Sequence, residues 1–564
     1  MQGCIAMNSD ELSKLYGKIS SEIDGYIHAG DIDNLKNMDL LCGRYIDQYP
    51  LIAYAFWYCK ANIASALFQL GNLQEKPPEP QNIEPQDKQK SNKTKQSSTI
   101  QVDPSWKPLL YQRQAIQHDS FQACSREFKA MILTNTGRAF DKIGRFIEAI
   151  ECYEQAILCV PTFAMALYYR GRSLFKLANW LALNPEINYN KTPFNFLYIE
   201  AKKSFNRAFQ KGTVWETHPD NIDTLRKEYY EYILPHIHQI GTLEAIKSYK
   251  LCFVYFFNKL VGGVVYKLNF MGFLKDSAEK VAYKKWSLKE HLYLDPINLV
   301  SVYDIGRTDY LSFPPYSYRQ GEEQPEFFNW FRLLKQEYIA ARYLLFQSIQ
   351  LKDKEHFADE NSDLFPSNEA ELKRSDNSGE IRQNDFSFGL TTSLMKSSFS
   401  KAYSIFDKIA EFIFAFWELE VKNKKGEVIR NPMISIGSIW YNNLDSKQGV
   451  NIKLINKDNW FLKGLYHLSY DLVGKEIPKA YILPEFKRLH EIRNKLEHSG
   501  VMITKEINTS SSQRLMTISL EEFVEHNLSL LRLVRNALFY LSLAAGLDQW
   551  NYENRINNTY QEND

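Results

Sequence analysis

Small and large residues recur at fixed positions between Ala130 and Pro161, and this repetition constrains the fold more than any other feature of the chain. The recurring positions are Ala130, Leu133, Gly137, Phe140, Gly144, Ala149, Tyr153, Ala156 and Pro161. Glycine and alanine let two helices touch, aromatic residues fill the gaps between them, and proline ends the unit. The pattern starts again in register at Ala164, Leu167 and Gly171, so we predict stacked helical hairpins that form an α-solenoid.

The repeated pattern resembles the tetratricopeptide repeat, in which pairs of helices stack on one another. The second helix of the second repeat comes late, at Ala201, Phe205 and Ala208. Insertions within repeats map to loops, so we predict an inserted loop from roughly Asn179 to Asn195. The resemblance also implies a concave groove that binds a protein or peptide partner.

Several domains are expected, because 564 residues exceed what one hydrophobic core usually holds. The stretch between Glu75 and Pro104 is rich in Pro, Gln, Lys and Ser and cannot support a core. The predicted order is degenerate helical hairpins in residues 1–74, a flexible insert in 75–105, tetratricopeptide repeats with their inserted loop in 106–214, a connecting region without an assigned role in 215–325, a helical bundle in 326–550 and a polar tail in 551–564.

Apolar residues recur at spacings of three and four through the C-terminal part, which predicts amphipathic helices packed as a bundle. These helices are predicted at residues 327–351, 397–420, 459–472, 484–499 and 520–547. Pro484 at a helix start and Gly500 just after its end are typical helix boundaries. The fold class is therefore mainly all-α, with an N-terminal solenoid followed by a C-terminal bundle.

Charge and cysteine usage limit the possible functions. The formal net charge is +1, so any contact with RNA must come from a local patch. The seven cysteines contain no C-x-x-C pair and indicate reduced thiols of a cytoplasmic protein. No signal peptide is visible, and charged residues and glycines interrupt the apolar stretch Leu251–Phe273, which favours a buried element over a membrane span. We find no motif for a cofactor or a metal, and expect neither.

Six residues near the C-terminus, Arg493-Asn494-Lys495-Leu496-Glu497-His498, combine three side chains that can cut RNA without a metal. An imidazole moves protons near neutral pH, a guanidinium holds a phosphate, and an amide orients either group. The chain repeats the Arg-to-His spacing at Arg113 and His118. That first copy has glutamine instead of asparagine after the arginine and no glycine after the histidine, so we expect it to have no catalytic role.

Arg493 falls within an apolar stripe of its helix, where a charge needs an anion. The candidates are Glu497, Asp407, Glu411 and a phosphate of RNA. His498 lies about 140 degrees around the helix from Arg493, so the two side chains occupy different edges. This favours a composite site in a homodimer formed by the C-terminal bundle. The alternative is an Arg493–Glu497 surface ion pair, with His498 placed favourably at a helix C-terminus.

The bundle resembles the HEPN superfamily, whose signature is an arginine, a polar residue, three further residues and a histidine. Four stretches carry the resemblance, in the order FNWFRLLKQEYIAARYLLF, KAYSIFDKIAEF, NWFLKGLYHLSYDL and EIRNKLEHSG. They resemble most closely the branch found at the C-terminal end of bacterial proteins that carry tetratricopeptide repeats.

This resemblance, over roughly Phe327–Leu547, implies a dimeric, metal-independent endoribonuclease of anti-phage defence or toxin systems. It implies that Arg493, Asn494 and His498 are the catalytic residues. The supporting candidates are Asp407, Glu411 and Lys495. Because the superfamily also contains catalytically silent members, two alternatives stay open: an interaction scaffold without catalysis, and the toxin of a pair with a nucleotidyltransferase antitoxin.

Overall fold

The computed structural model describes fourteen stretches of the chain, which together hold both predicted motifs. They are residues 9–74, 106–182, 192–215, 219–240, 277–302, 306–313, 325–352, 390–423, 426–445, 448–455, 459–472, 484–498, 500–504 and 516–561. The predicted insert at 75–105, the apolar stretch Leu251–Phe273 and the charged stretch 353–389 lie outside them. The described stretches are mostly helical, which confirms the prediction of a mainly all-α fold.

The chain divides into two compact units. The first consists of Met1–Arg170, Arg207–Glu216 and Lys475–Leu483, and the second of Gly171–Asn206, Thr217–Gly474 and Pro484–Asp564. Helices of the first unit are α1 Ser9–Ala29, α2 Ile32–Gln48, α3 Ala53–Gln74, α4 Lys107–Gln117, α5 Arg126–Lys142 and α6 Phe146–Cys159. Helices α7 Ala164–Ala182 and α8 Thr192–Ala208 are each divided between the units.

Helices α5 and α6 form the hairpin that the repeat pattern predicts. Gly137 lies against the ring of Tyr153, where an added Cβ would be only 2.5 Å from the ring's Cε1 atom. Gly144 lies in the turn between the helices with a φ of 83°, a conformation that favours glycine. The small and large residues therefore make the close helix contact expected from the sequence, while membership of the tetratricopeptide class stays a prediction.

The predicted inserted loop is shorter at both ends than the sequence suggested. Helix α7 continues to Ala182, and α8 begins at Thr192. Within the second unit, Gly171 of α7 lies against α8, where an added Cβ would be 3.1 Å from the backbone oxygen of Ala201 and from the Phe205 ring. Helix-favouring residues beyond Asn179, such as Leu181, which is fully buried, extend α7 into the Asn-rich stretch.

The second unit contains the predicted bundle. Its helices are α9 Pro219–Lys227, α10 Leu234–Ile240, α11 Ala278–Lys289, α12 Pro296–Val300, α13 Pro325–Lys352, α14 Leu390–Phe416, α15 Ile452–Ile455, α16 Trp460–Ser469, α17 Pro484–His498 and α18 Leu520–Gln561. Helix α13 packs along α14, and α18 packs against α13, α14 and α16. Buried apolar side chains such as Phe399, Ile409 and Leu538 fill the space between them.

The two largest differences from the predicted helix boundaries of the bundle are at the start of α14 and at the end of α18. Helix α14 begins at Leu390, before the predicted Ser397, and α18 continues past Leu547 to Gln561. The early start of α14 was not predicted because its first turn contains two polar residues, Thr391 and Thr392. Threonine usually lies at the protein surface, but both of these side chains are buried. Ser398, also buried, donates to the backbone oxygen of Ala341 and so links α14 to α13.

Two short strands follow α17 and were not predicted. Strand β1 (Val501–Thr504) pairs in parallel with β2 (Met516–Ser519), with Val501 opposite Met516. Four residues are too few for an alternating pattern to be recognised in a sequence. Since β2 leads directly into α18, the pair links the end of the motif helix to the last helix of the bundle.

Residues 277–313, for which the sequence analysis found no role, are part of the second unit. Arg342 of α13 is buried and donates to both carboxylate oxygens of Asp309, at 2.9 and 2.7 Å, and to the backbone oxygen of Leu292 at 2.7 Å. On α18, Arg532 donates to the Glu290 carboxylate at 2.9 Å. Losing one partner of a buried ion pair typically costs about 3–5 kcal/mol. These contacts therefore join residues 277–313 to the bundle.

Two described helical segments, Pro50–Gly71 and Leu520–Gln549, are long and apolar enough to cross a membrane by length and composition alone. Inside the protein, 56% of the apolar window is buried in the first and 89% in the second. Core helices have the same length and composition. For the second segment, burial against α13, α14 and α16 accounts for its hydrophobicity.

Candidate active site at the end of helix α17

Helix α17 carries the Arg-to-His motif and is held against the bundle by its apolar face. Leu489 and Ile492 are fully buried, and the helix packs on α14. It begins at Pro484, as the sequence predicts, and its described part ends at His498, one residue before the predicted end at Ser499. Gly500 has a φ of 121°, and its N–H donates to the backbone oxygen of Lys495 at 2.5 Å, which closes the helix end. Glycine is needed here because other residues rarely adopt this backbone conformation.

Arg493 has a defined position between an aromatic ring and a carboxylate. Its guanidinium lies over the Tyr403 ring, 5.0 Å from the ring centre. Its Nε donates to Oε1 of Glu497 at 3.0 Å, and 31% of the side chain is exposed. In the described part of the chain, its two terminal amino groups make no hydrogen bond. Those groups are the ones with which an arginine binds a phosphate through two parallel hydrogen bonds.

Tyr403 lies on α14 and was not identified from the sequence. It is buried, and its hydroxyl donates to the backbone oxygen of Leu472 at 3.0 Å. Burial raises the pKa of Tyr403 above its usual value, and the nearby Arg493 opposes this effect. The available signal was its position one helical turn before Asp407, which places both residues on the same face of α14.

Asp407 lies beside Arg493, as one of the proposed anions should. Its Oδ1 accepts the backbone N–H of Ile436 at 3.2 Å. Burial raises the pKa of Asp407, whereas the Ile436 N–H and the Arg493 guanidinium lower it and the Glu497 carboxylate raises it. Glu411, one turn further along α14, is exposed and makes no ion pair with Arg493 in the described structure. Of the two α14 carboxylates, only Asp407 belongs to this cluster.

His498 lies at the helix end and is accessible, with 74% of its side chain exposed. Its Nε2 is 3.9 Å from Oε2 of Glu497, so the two oxygens of this carboxylate face Arg493 and His498 respectively. Asn494 is half-buried, and no hydrogen bond joins it to His498 among the described side chains. Lys495 is also half-buried. The contact of Asn494 with the imidazole that the helical spacing allows is therefore not made.

The earlier copy of the motif, Arg113 and His118, makes contacts that are typical of a structural role. Arg113 is buried, with its guanidinium 5.0 Å from the centre of the Phe140 ring and 5.9 Å from that of Trp106. His118 follows the end of α4, and its Nδ1 accepts the backbone N–H of Ser120 at 3.3 Å. In this copy the arginine is part of a core and the histidine caps the next turn.

The arrangement on α17 combines a positioned cation with an accessible imidazole. The guanidinium can bind an anion through its terminal amino groups, and an exposed imidazole can accept or donate a proton. No cluster of three or more His, Cys, Asp or Glu side chains that could hold a metal ion occurs in the described stretches.

Comparison with known proteins identifies the C-terminal part. Residues 318–548 match the family model described as LA2681-like HEPN, and this range contains α13 to α18 up to residue 548 together with the site on α17. Searches of curated proteins and of solved structures each gave no match.

Proposed function

Since residues 318–548 form a HEPN domain, we propose that the protein is a metal-independent endoribonuclease with its active site at the end of α17. The proposal rests on the position and contacts of Arg493. Tyr403 and Glu497 hold its side chain, while its terminal amino groups make no hydrogen bond in the described structure. The exposed His498 lies at the end of the same helix. Cleavage of RNA beside a phosphate uses this combination: a cation that binds the phosphate and a group that accepts the proton of the 2′-hydroxyl.

The chemistry needs only these side chains and the RNA. His498 removes the proton of a ribose 2′-hydroxyl, whose oxygen attacks the adjacent phosphorus. The bond from the 2′-oxygen to phosphorus forms as the bond to the 5′-oxygen breaks, and a second imidazole protonates the leaving oxygen. Arg493 stabilises the charge that grows on the phosphoryl oxygens. Asn494 orients the substrate or the imidazole. The products are a 2′,3′-cyclic phosphate and a 5′-hydroxyl.

The second imidazole would come from a second copy of the chain. Arg493 and His498 lie on different edges of α17, and Glu497 lies between them in the described structure. Two α17 helices that pack antiparallel bring the arginine of one copy towards the histidine of the other, because a twofold axis pairs equivalent surfaces. The homodimer would form through the C-terminal bundle.

The biological setting follows from the kind of domain. A ribonuclease of this type would act in the cytoplasm, in anti-phage defence or as a toxin, and the helical hairpins of the first unit would bind a protein or peptide trigger. A partner that binds there should co-purify with the full chain. It should be lost from a chain that begins at Ala164, the first residue of α7.

The proposal is tested by replacing the two charged motif residues in the full-length protein. Arg493→Ala and His498→Ala should each abolish cleavage of RNA, leave 2′,3′-cyclic ends undetectable and remove any toxicity in cells. His118→Ala is the matched control, because it removes the histidine of the structural copy, and it should cleave like the wild type. EDTA should not inhibit. Cleavage that survives His498→Ala, or that requires a divalent metal, would contradict the assignment.

One observation favours a second function. The Arg493–Glu497 ion pair is the contact expected if the motif is only a surface feature. In that case the HEPN domain would serve as a dimerising scaffold, and both motif variants would keep the activity of the protein. The pairing with a nucleotidyltransferase antitoxin is a variant of the ribonuclease proposal, and the genes beside this one would distinguish the two.

A further inference from the structure

The Tyr403 ring and the Arg493 guanidinium form a contact between α14 and the motif. The two groups lie 5.0 Å apart, measured from the guanidinium carbon to the ring centre. Aromatic rings attract cations at this distance, and the attraction is stronger where water is excluded. Tyr403 is only 4% exposed, so its ring has little freedom to move.

Tyr403 is itself fixed by the bundle. Its hydroxyl donates to the backbone oxygen of Leu472, just after α16, and its ring stacks on Phe399 one turn earlier, with centres 6.5 Å apart. Phe399 in turn stacks on Phe523 of α18, with centres 5.7 Å apart. The ring therefore has a position set by three helices, while Arg493 has a long, flexible side chain.

We propose that Tyr403 is a positioning residue for catalysis, whose ring holds the Arg493 guanidinium in the orientation that binds the scissile phosphate. This inference rests on the proposed ribonuclease function. The ring covers one face of the guanidinium and Glu497 occupies its Nε edge. The edge that remains carries the two terminal amino groups, which match the two free oxygens of a phosphodiester.

Two contacts with Arg493 have different consequences for the reaction. Glu497 is exposed on a helix surface, so its carboxylate can turn away when a phosphate arrives. The Tyr403 ring is buried and does not compete with a phosphate for hydrogen bonds. Because misplacing a catalytic group by about 1 Å can lower a rate by about 100-fold, fixing the guanidinium before the substrate binds would act mainly on the chemical step.

The experiment compares three substitutions in the full-length protein. Tyr403→Leu removes the ring, and Tyr403→Phe keeps the ring and removes the hydroxyl. Phe412→Leu removes another buried ring of α14, which contacts neither Tyr403 nor Arg493 in the described structure. Each variant is measured for kcat, for KM with a defined RNA and for its thermal unfolding midpoint. We expect Tyr403→Leu to lower kcat about tenfold or more with little change in KM. Tyr403→Phe and Phe412→Leu should retain kcat within about twofold.

Three results would overturn the inference. They are an unchanged kcat in Tyr403→Leu, an equal loss in Tyr403→Phe, which would assign the effect to the hydroxyl, and an equal loss in Phe412→Leu, which would assign it to general packing of α14. If Tyr403→Leu does not fold, Tyr403→Met replaces it, because methionine fills a similar volume without a ring. Failure of the ribonuclease proposal is separate, since it would appear as normal cleavage by Arg493→Ala.

Discussion

Arg493 and Glu497 form an ion pair across one turn of α17, with Nε and Oε1 separated by 3.0 Å. Their side chains are 31% and 45% exposed. Exposed pairs at this spacing contribute only about 0.2–1 kcal/mol, because water and salt screen them. An RNA phosphate can therefore replace or join Glu497 at little cost, so the pair is compatible with a binding site as well as with a simple surface contact.

The first prediction concerns the charge of Glu497. Glu497→Gln removes a negative charge beside the cation that would bind RNA, so binding should tighten severalfold at low salt and the difference should shrink at high salt. The measurement is the affinity for an RNA that carries a 2′-deoxy group at the cleavage site. Glu411→Gln is the control, because this carboxylate is exposed on α14 away from Arg493. Equal effects of the two substitutions would show that Glu497 has no special place in the site.

The second prediction distinguishes a composite site from a site within one chain. Arg493→Ala and His498→Ala chains are each inactive under the proposal, and co-expression should restore activity. Random pairing gives half mixed dimers, in which one intact Arg493 faces one intact His498 but the second imidazole is missing, so activity should return above that of either variant alone and stay below about a quarter of the wild type. The two variants carry different affinity tags, and purification on one tag and then on the other isolates the mixed dimer. A mixed dimer without activity, or a protein that cleaves RNA as a monomer, would exclude the shared site.

The third prediction concerns stability and pH. Burial raises the pKa of Asp295 to about 6, although Thr308 and the Ile297 N–H lower it by hydrogen bonding. The folded state therefore favours the protonated form of Asp295. The stability that this protonated form contributes is lost as pH rises from about 4 to about 6. A shift of this size corresponds to about 3 kcal/mol.

Asp295→Asn should remove this pH-dependent contribution, because the amide stays neutral throughout the range. The measurement is the free energy of unfolding in urea at pH 4.5 and at pH 7 for the wild type and the variant. The variant should gain stability relative to the wild type at pH 7 and show little difference at pH 4.5. An equal difference at both pH values would mean that Asp295 is ionised in the folded protein at both.

The fourth prediction concerns the α5–α6 hairpin. Gly137→Ala places a methyl group 2.5 Å from the Tyr153 ring, which is closer than carbon atoms approach in folded proteins. The ring or the helices must move, and such overpacking usually costs about 1–3 kcal/mol. Gly25→Ala in α1 is the control, since no atom lies within 4 Å of the added carbon. It should stabilise its helix slightly. A neutral Gly137→Ala would mean that the hairpin has more space than the structure indicates.

Local sequence patterns predicted most helices but not the contacts between distant parts of the chain. The buried spacing of Leu489 and Ile492 and the stop at Gly500 determined α17 correctly. The contact between Tyr403 and Arg493 could not be read from spacing, because the residues lie on different helices and meet only in the folded bundle. The role of Asp309 was missed for the same reason, since its contacts with Arg342 and with the backbone N–H of Leu294 form only in the folded protein.

Within the candidate site, side-chain type was more informative than the helical wheel. Arg493 needs an anion wherever it is partly buried, and the structure provides Glu497 as an ion pair and Asp407 as a neighbouring charge. An amide beside the imidazole was expected to orient either charged group, but rotamers decide such contacts, and no hydrogen bond joins Asn494 to His498 among the described side chains. Helical spacing also could not choose between Asp407 and Glu411 as the carboxylate near Arg493. In the structure, Asp407 accepts the backbone N–H of Ile436, which lies in a later segment of the chain and could not be paired with it from the sequence.

The contacts of α18 with residues 290 and 291 also set the order in which this protein can fold as it is synthesised. Arg532 binds Glu290, and Arg535 donates to the backbone oxygen of His291, across more than 240 residues of sequence. Ribosomes release a chain from its N-terminus, and domains fold as units when their last segment emerges. The second unit must therefore wait for α18, whereas α5 and α6 can pair much earlier. A ribonuclease built this way would stay inactive on the ribosome until α18 has left the exit tunnel.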